Sequence, residues 1–362
     1  MGGAELVMHH LACQWSRQGH EVCVMNTITD KATHPDATYS VKRFRMLRGT
    51  ARFGYHRFPF QGFAVRSIAA LLRDFRPDLV SAHFGYPTGV WLSRIRPLPR
   101  YLITCHGGEL TKFYWGYRQR WNIDAILRDA LNDSVGAIAI SSHARKLMEE
   151  IGVRPDRILD IPNGVDLDKF KSRVDVNIRE KLGLPADSLI ILSVGRNHPQ
   201  KAYGTGIRAF AKVAARAPQA RYVIVGRWLE EWQPLVKELE LEERVILCPG
   251  LYGDELIAMY QQADIFFSPS IWEMFALVVI EAMAAGLPAV VTNISGSQDA
   301  IHTGDNGIVV EPDRPDEMAD ALLQLIENAP LRRQMGTRNL ERSKLYGWDR
   351  VSRQYIERAL IS

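Results

Sequence analysis

Cysteine is scarce in this chain and scattered: Cys13, Cys23, Cys105 and Cys248 form no C-x-x-C pair. That excludes a zinc ribbon and a disulfide framework and fits a reducing compartment. No apolar run approaches the roughly 20 residues that a bilayer-spanning helix needs, and no signal-peptide layout opens the chain. The expectation is a cytoplasmic protein, peripheral at most at the inner face of a membrane. Excess charge is lacking too. A net charge of +4 over 362 residues is too small for a nucleic-acid surface. There is no internal repeat and no low-complexity tract. No G-x-G-x-x-G follows a strand and opens a helix, so dinucleotide oxidoreduction has little support.

What is present is enough apolar material for two cores, 46% of 362 residues, more than a single core normally uses. Twenty-seven glycines and eighteen prolines punctuate alternating strand and helix patterns, which predicts α/β architecture. The first half reads as strands near Glu21 to Met25, Leu79 to His83, Tyr101 to Cys105 and Gly136 to Ile140, with helices around Glu5 to Gln18, Phe63 to Asp74 and Ala144 to Ile151. A strand, turn and short helix over Arg157 to Phe170 mark the junction. The second half repeats the alternation at Ser188 to Val194, Arg221 to Gly226, Arg244 to Leu247, Ile265 to Ser268, Ala289 to Thr292 and Gly307 to Val310. The predicted fold is two Rossmann-like doubly wound parallel-sheet domains facing across a cleft, with ligands at the strand ends. Their bounds are 1–163, for the acceptor, and 164–344, for the donor; the segment 345–362 is a helix returning to the first domain.

The most informative stretch is Ser270 to Pro288. It follows the apolar Ile265-Phe266-Phe267, carries Glu273 and Glu281 eight positions apart, and ends on Gly286 and Pro288, which reads as strand, loop, helix and helix stop. The start of that helix gathers unpaired N–H groups and the positive end of the dipole, a setting for a phosphate or diphosphate. Glu281 and Glu273 can accept hydrogen bonds from ribose and sugar hydroxyls. One anion site and two hydroxyl acceptors describe a nucleotide sugar.

The pattern E-x7-E followed by A-M-A-A-G-L-P resembles the donor-site signature of the retaining glycosyltransferases of family 4, which have the GT-B fold. By position, the resemblance gives Glu273 the donor sugar, Glu281 the ribose, and the backbone of Phe275, Ala276, Leu277 and Val278 the diphosphate. The family usually has Gly where Met274 and Ala276 stand, and often Pro at Val278. A second element resembles the family's G-R-x4-K: the strand Ser188 to Val194 runs into Gly195-Arg196, with Lys201 five positions later. Arg196 and Lys201 can clamp a diphosphate as it departs. Here Ala202 stands where the family has Gly.

Gly2-Gly3-Ala4-Glu5 resembles the family's glycine-rich loop, whose amides approach donor and acceptor, yet no apolar strand precedes it. The expectation is that the natural beginning lies upstream. In Tyr101 to Glu109 the resemblance makes His106 the first domain's contribution to the reaction, with Gly107 and Glu109 on the acceptor side. Ser141 and Asp166 read as helix caps. The pair Asp166-Leu167-Asp168 supplies too few oxygens for a divalent ion, and His9-His10 has no partners at metal spacing, so neither a metal nor a cofactor is expected. Between Asp36 and Asp74, Lys42, Arg43, Arg45, Arg48, Arg52, Arg57 and Arg66 alternate with Phe44, Phe53, Tyr55, Phe58 and Phe60 and with no acid. That suits an anionic membrane surface or a phosphorylated acceptor.

The resemblance implies transfer of a sugar from a UDP-, GDP- or ADP-sugar to the hydroxyl of a glycan or lipid-linked acceptor, in cell-surface polysaccharide, lipopolysaccharide or glycolipid synthesis. His106, Arg196, Lys201 and Glu273 form its catalytic set; Gly3 joins the donor side, and Gly2 and Gly3 the acceptor side. A nucleotide-sugar epimerase, a glycogen-type phosphorylase and a non-catalytic sugar-nucleotide binder stay open as alternatives.

Overall fold

The computed structural model describes residues 3–27, 34–44, 60–111 and 122–361. Gly2 and the basic positions 45, 48, 52 and 57 lie outside them. The chain divides into two units, Met1–Asn163 with Trp348–Ser362, and Gly164–Gly347. Leu345, Tyr346 and Gly347 thus belong with the second unit, just past the boundary at 344 expected from sequence.

The first unit is built on β1 (Cys23–Thr27), β2 (Ser40–Phe44), β3 (Leu79–His83), β4 (Arg100–Cys105), β5 (Gly136–Ala139) and β6 (Ile158–Asp160). Strands β3-β4-β5-β6 form one parallel sheet in that order; β1 and β2 form a parallel pair of their own. β2 is absent from the expected strands because Ser-Val-Lys-Arg-Phe has little apolar character; its pairing with β1, Cys23 to Ser40 through Thr27 to Phe44, supplies what composition does not. β4 and β5 are buried almost throughout, as parallel strands covered on both faces must be, which explains the runs Leu102-Ile103 and Ala137-Ile138. The C-terminal helix Trp348–Ile361 packs in this unit. Trp348 stacks on His10 with ring centroids 5.3 Å apart. Trp15 Nε1 donates to the Ser352 carbonyl at 3.0 Å, and Tyr355 Oη pairs with Thr104 Oγ1 at 3.2 Å.

The second unit holds β7 (Leu189–Val194), β8 (Ala220–Gly226), β9 (Val245–Pro249), β10 (Ile265–Ser268), β11 (Ala289–Thr292) and β12 (Gly307–Val310). They form a single parallel sheet in the order β12-β11-β10-β7-β8-β9. Alternate residues feed two cores. Ile191, Tyr222, Ile224, Phe267 and Val290 face the helices Tyr203–Arg216 and Pro315–Glu327. Ile190, Leu192, Val223, Phe266 and Val291 face Asp254–Gln262 and Leu277–Ala284. That period of two is the strand geometry itself. Among the described residues, no helix is long and apolar enough to cross a membrane.

Candidate active site

Strand order fixes where a ligand can sit in the second unit. The chain leaves β7 for β8 on one side and later returns to β10 on the other, so the loops after β7 and β10 diverge and open a crevice at the carboxyl ends. Arg196 and Lys201 lie on the first loop, Glu273 on the second.

The β7 loop is held by tight backbone packing. Gly195 has φ +152°, its N–H donates to the Val225 carbonyl at 2.8 Å, and its carbonyl accepts from Tyr203 Oη at 2.8 Å. A Cβ on Gly226 would lie 1.9 Å from that carbonyl, so only glycine fits at the end of β8. Pro199–Lys201 form one 3₁₀ turn, followed by Ala202 at φ 47°, ψ 40°, where the helix Tyr203–Arg216 begins. The glycine that the sequence pattern favours at 202 matches this left-handed backbone. Arg196 is exposed.

The β10 loop docks on this turn through Ile271 N–H, which donates to the Gln200 carbonyl at 2.8 Å. The contact brings Lys201 Nζ to 2.6 Å from Glu273 Oε1. Gln200 Nε2 donates to Glu273 Oε2 at 3.2 Å and Ser270 Oγ to Oε1 at 3.3 Å. Three donors thus aim one buried carboxylate. Behind it, a Cβ on Gly296 would fall 2.8 Å from the Glu273 carbonyl.

The helix Leu277–Ala284 opens on Ala276 with no side-chain cap. Leu277 N–H bonds the Phe275 carbonyl at 3.2 Å and Val279 N–H the Ala276 carbonyl at 2.9 Å, a tight entry turn whose dipole favours negative charge. Met274 and Ala276 are 4% and 3% exposed: where the sequence pattern favours glycines, this chain turns side chains into its interior. Val278 and Phe275 pack at the margin of the same core. Glu281 accepts from Tyr260 Oη at 2.7 Å. Burial pushes its carboxyl above the usual range, opposed by the Tyr260 hydrogen bond and by the charges of Lys201 and Lys169. Lys201 therefore bonds one acid and is felt by the other, so Lys201, Glu273, Glu281 and the helix start share one locale.

In the first unit Gly3 is the first residue of the helix Gly3–Arg17; the expected loop is helical from this residue onward. His106 follows β4. Its backbone N–H donates to Glu109 Oε1 at 3.0 Å, Gly107 N–H to Oε2 at 3.0 Å, and Gly85 N–H to Oε1 at 3.1 Å. Glu109, 5% exposed, is thereby committed to shaping the loop. Burial raises its pKa, and those amides oppose the rise. Gly107 at φ +118° occupies backbone that other residues rarely adopt. Burial lowers the His106 imidazole to about 4, so the ring is neutral at physiological pH. Ser141 Oγ accepts from Ala144 N–H and Asp166 Oδ1 from Lys169 N–H; both cap helices.

Four participants escaped the sequence: Tyr260, which holds Glu281; Gln200 and Ser270, which hold Glu273; and His83, which meets His106. A tyrosine on an amphipathic helix and a histidine closing a half-buried strand are weak signals, since neither names a partner. Gln200 and Ser270 lie inside the quoted motifs but read there as spacer and loop.

Residues 1–169 match the family model described as Glycosyltransferase Family 4, and residues 175–342 match Glycosyl transferases group 1. A D-inositol 3-phosphate glycosyltransferase of Nocardioides is 25% identical over 98% of this chain and 84% of its own. Among solved structures, Anabaena HepE in complex with UDP and glucose superposes with TM-score 0.80 at 20% identity, covering 98% of this chain and 95% of its own. WaaG, a glycosyltransferase involved in lipopolysaccharide biosynthesis, superposes with TM-score 0.73 at 18% identity, covering 96% and 94%. With a model spanning each unit, two parallel-sheet α/β domains, and paired acids and a lysine at the switch point of the second, the chain belongs to the group 1 glycosyl transferases of family 4 and has the GT-B fold.

Proposed function

We propose that this enzyme transfers a sugar from a nucleoside diphosphate sugar to an acceptor hydroxyl with retention of anomeric configuration and without a metal ion. The observation that carries the reading is Lys201 paired with Glu273, its charge felt by Glu281 at the uncapped helix Leu277–Ala284. Charge develops on the departing diphosphate, and Lys201, Arg196 and the amides of Phe275 to Val278 are the groups that neutralise it. Glu281 takes the ribose and Glu273 the sugar. In the first unit, the neutral His106 contacts donor sugar and phosphate, and Gly3, at the start of its own helix, adds a backbone amide. Retention follows from a front-face path in which the departing phosphate helps to take the acceptor proton.

The acceptor is a glycan or a lipid-linked carrier in cell-surface or glycolipid synthesis. Relatives support the class: one is a D-inositol 3-phosphate glycosyltransferase and one is involved in lipopolysaccharide biosynthesis. The basic, aromatic stretch 42–66 docks the enzyme on an anionic cytoplasmic membrane face, each cation near the surface adding about 1 kcal/mol. Vesicles with anionic lipid should retain the protein and neutral vesicles should not; equal retention removes the membrane proposal.

A thermal-shift panel of UDP-, GDP- and ADP-sugars identifies the donor, because a ligand that binds only the folded state raises its melting temperature. Donor consumption that waits for an acceptor supports transfer. Consumption without acceptor points to an epimerase, and binding without turnover to a sugar-nucleotide binder.

A further inference from the structure

Neighbouring strands β3 and β4 run parallel with His83 opposite Thr104, and each ends in a histidine: His83 closes β3, and His106 follows Cys105. His83 Nδ1 lies 2.9 Å from His106 Nε2, and the rings meet edge to edge, with centroids 5.2 Å and planes 19° apart. A hydrogen bond between two imidazoles needs a proton on one nitrogen and a lone pair on the other. Burial lowers the pKa of both rings, and the charge of His106 adds to the effect on His83. The far nitrogen of His83, Nε2, is 3.5 Å from Ser81 Oγ on the same strand, so the hydroxyl can supply or accept the matching proton. Phe84, held at φ 69°, sets its ring 5.0 Å from His106.

We propose that His83 is a positioning residue for the transfer reaction: by engaging Nε2 of His106 it leaves Nδ1 as the nitrogen that meets the ligand and fixes which nitrogen carries the proton. This rests on the reading of the chain as a transferase in which His106 contacts donor sugar and phosphate. A neutral imidazole that interconverts between tautomers presents a donor in one form and an acceptor in the other; a locked one presents a single function to a phosphate or hydroxyl. If the pair merely satisfied two buried rings, phenylalanine, which fills the same space and needs no partner, would replace His83 without consequence for His106.

The test reads the ring nitrogens directly in the full chain labelled with ¹⁵N-histidine, the His106 signals being assigned through His106→Gln. The wild type should show a single His106 tautomer and a scalar coupling across the hydrogen bond to the His83 ring. His83→Phe should give averaged His106 signals. His83→Asn, whose amide places a polar atom where Nδ1 stood, should restore one tautomer. Turnover should fall at least tenfold in His83→Phe with donor KM unchanged, and recover in large part in His83→Asn. An unchanged single tautomer in His83→Phe overturns the proposal, as does equal loss of turnover in both variants. Absence of the cross-bond coupling in the wild type overturns it even if no variant folds. The spectra need no substrate, so a wild-type chain that transfers nothing would overturn the transferase reading while the tautomer result stood on its own.

Discussion

Lys201 and Glu273 form an ion pair at 2.6 Å with side chains only 12% and 9% exposed. A pair so enclosed is costly to break from one side, because the surviving charge stays buried without its partner. It also means that the cation assigned to the diphosphate is already committed to the acid assigned to the sugar. Donor binding must therefore share or redistribute these contacts.

Lys201→Met should cost about 3 kcal/mol of stability, at the low end of the range for a broken buried pair because Gln200 and Ser270 still hold Glu273. Transfer should fall roughly 100-fold or more. The double variant Lys201→Met/Glu273→Gln should regain most of the stability and none of the activity. Denaturant unfolding beside initial rates checks this; full turnover in Lys201→Met would contradict the clamp.

Glu281 gives a stability that depends on pH in a definite sense. Its carboxyl titrates above the usual range in the fold because it is buried. The folded protein therefore holds that proton more tightly than the unfolded chain, and ionisation costs stability as pH rises through the interval above about 4.3. Glu281→Gln, which can still accept from Tyr260, should melt higher than wild type at pH 7, and the gap should close at pH 4. Donor affinity should drop meanwhile. A lower melting temperature at pH 7 would show the carboxylate to be stabilising.

His106 carries the opposite slope. Its pKa of about 4 in the fold is below that of an unfolded histidine, so the unfolded chain takes up the proton first and stability is lost as pH falls from about 6.5 toward 4. One such group contributes up to about 1.4 kcal/mol per pH unit across that window. His106→Gln should flatten the acid limb of stability measured by urea titration at successive pH values. An unchanged slope would mean that the fold does not lower the pKa of this ring.

Ala202 pays for its left-handed backbone, φ 47°. Ala202→Gly should raise stability by about 1 kcal/mol, since glycine adopts that conformation without a Cβ conflict. The gain should appear in chemical denaturation with donor affinity unchanged; a loss would mean that the freedom returned to the unfolded chain outweighs the strain relieved.

Local chemistry was legible in the linear chain. The apolar period of the strands, the helix stop at Gly286-Leu287-Pro288, the caps Ser141 and Asp166 and the two acids eight positions apart all depend on neighbours within a turn or two. Those features sufficed to read two parallel-sheet domains and to nominate candidate donor residues in the second. Ser40–Phe44 was missed because a polar strand is recognisable only by the partner it pairs with.

The amino-acid sequence by itself determined which residue types stand at the ends of which strands, because that information is carried by short-range periodicity and turn chemistry. Only the tertiary structure decided who meets whom. The neighbourship of β7 and β10 brings Lys201 to Glu273. The placement of Asp254–Gln262 and Leu277–Ala284 in the same core on one face of the sheet brings Tyr260 to Glu281, and the register of β3 on β4 brings His83 to His106. Strand order and register are set by how two opposite faces of a sheet are buried together, a collective property that no stretch of chain holds alone.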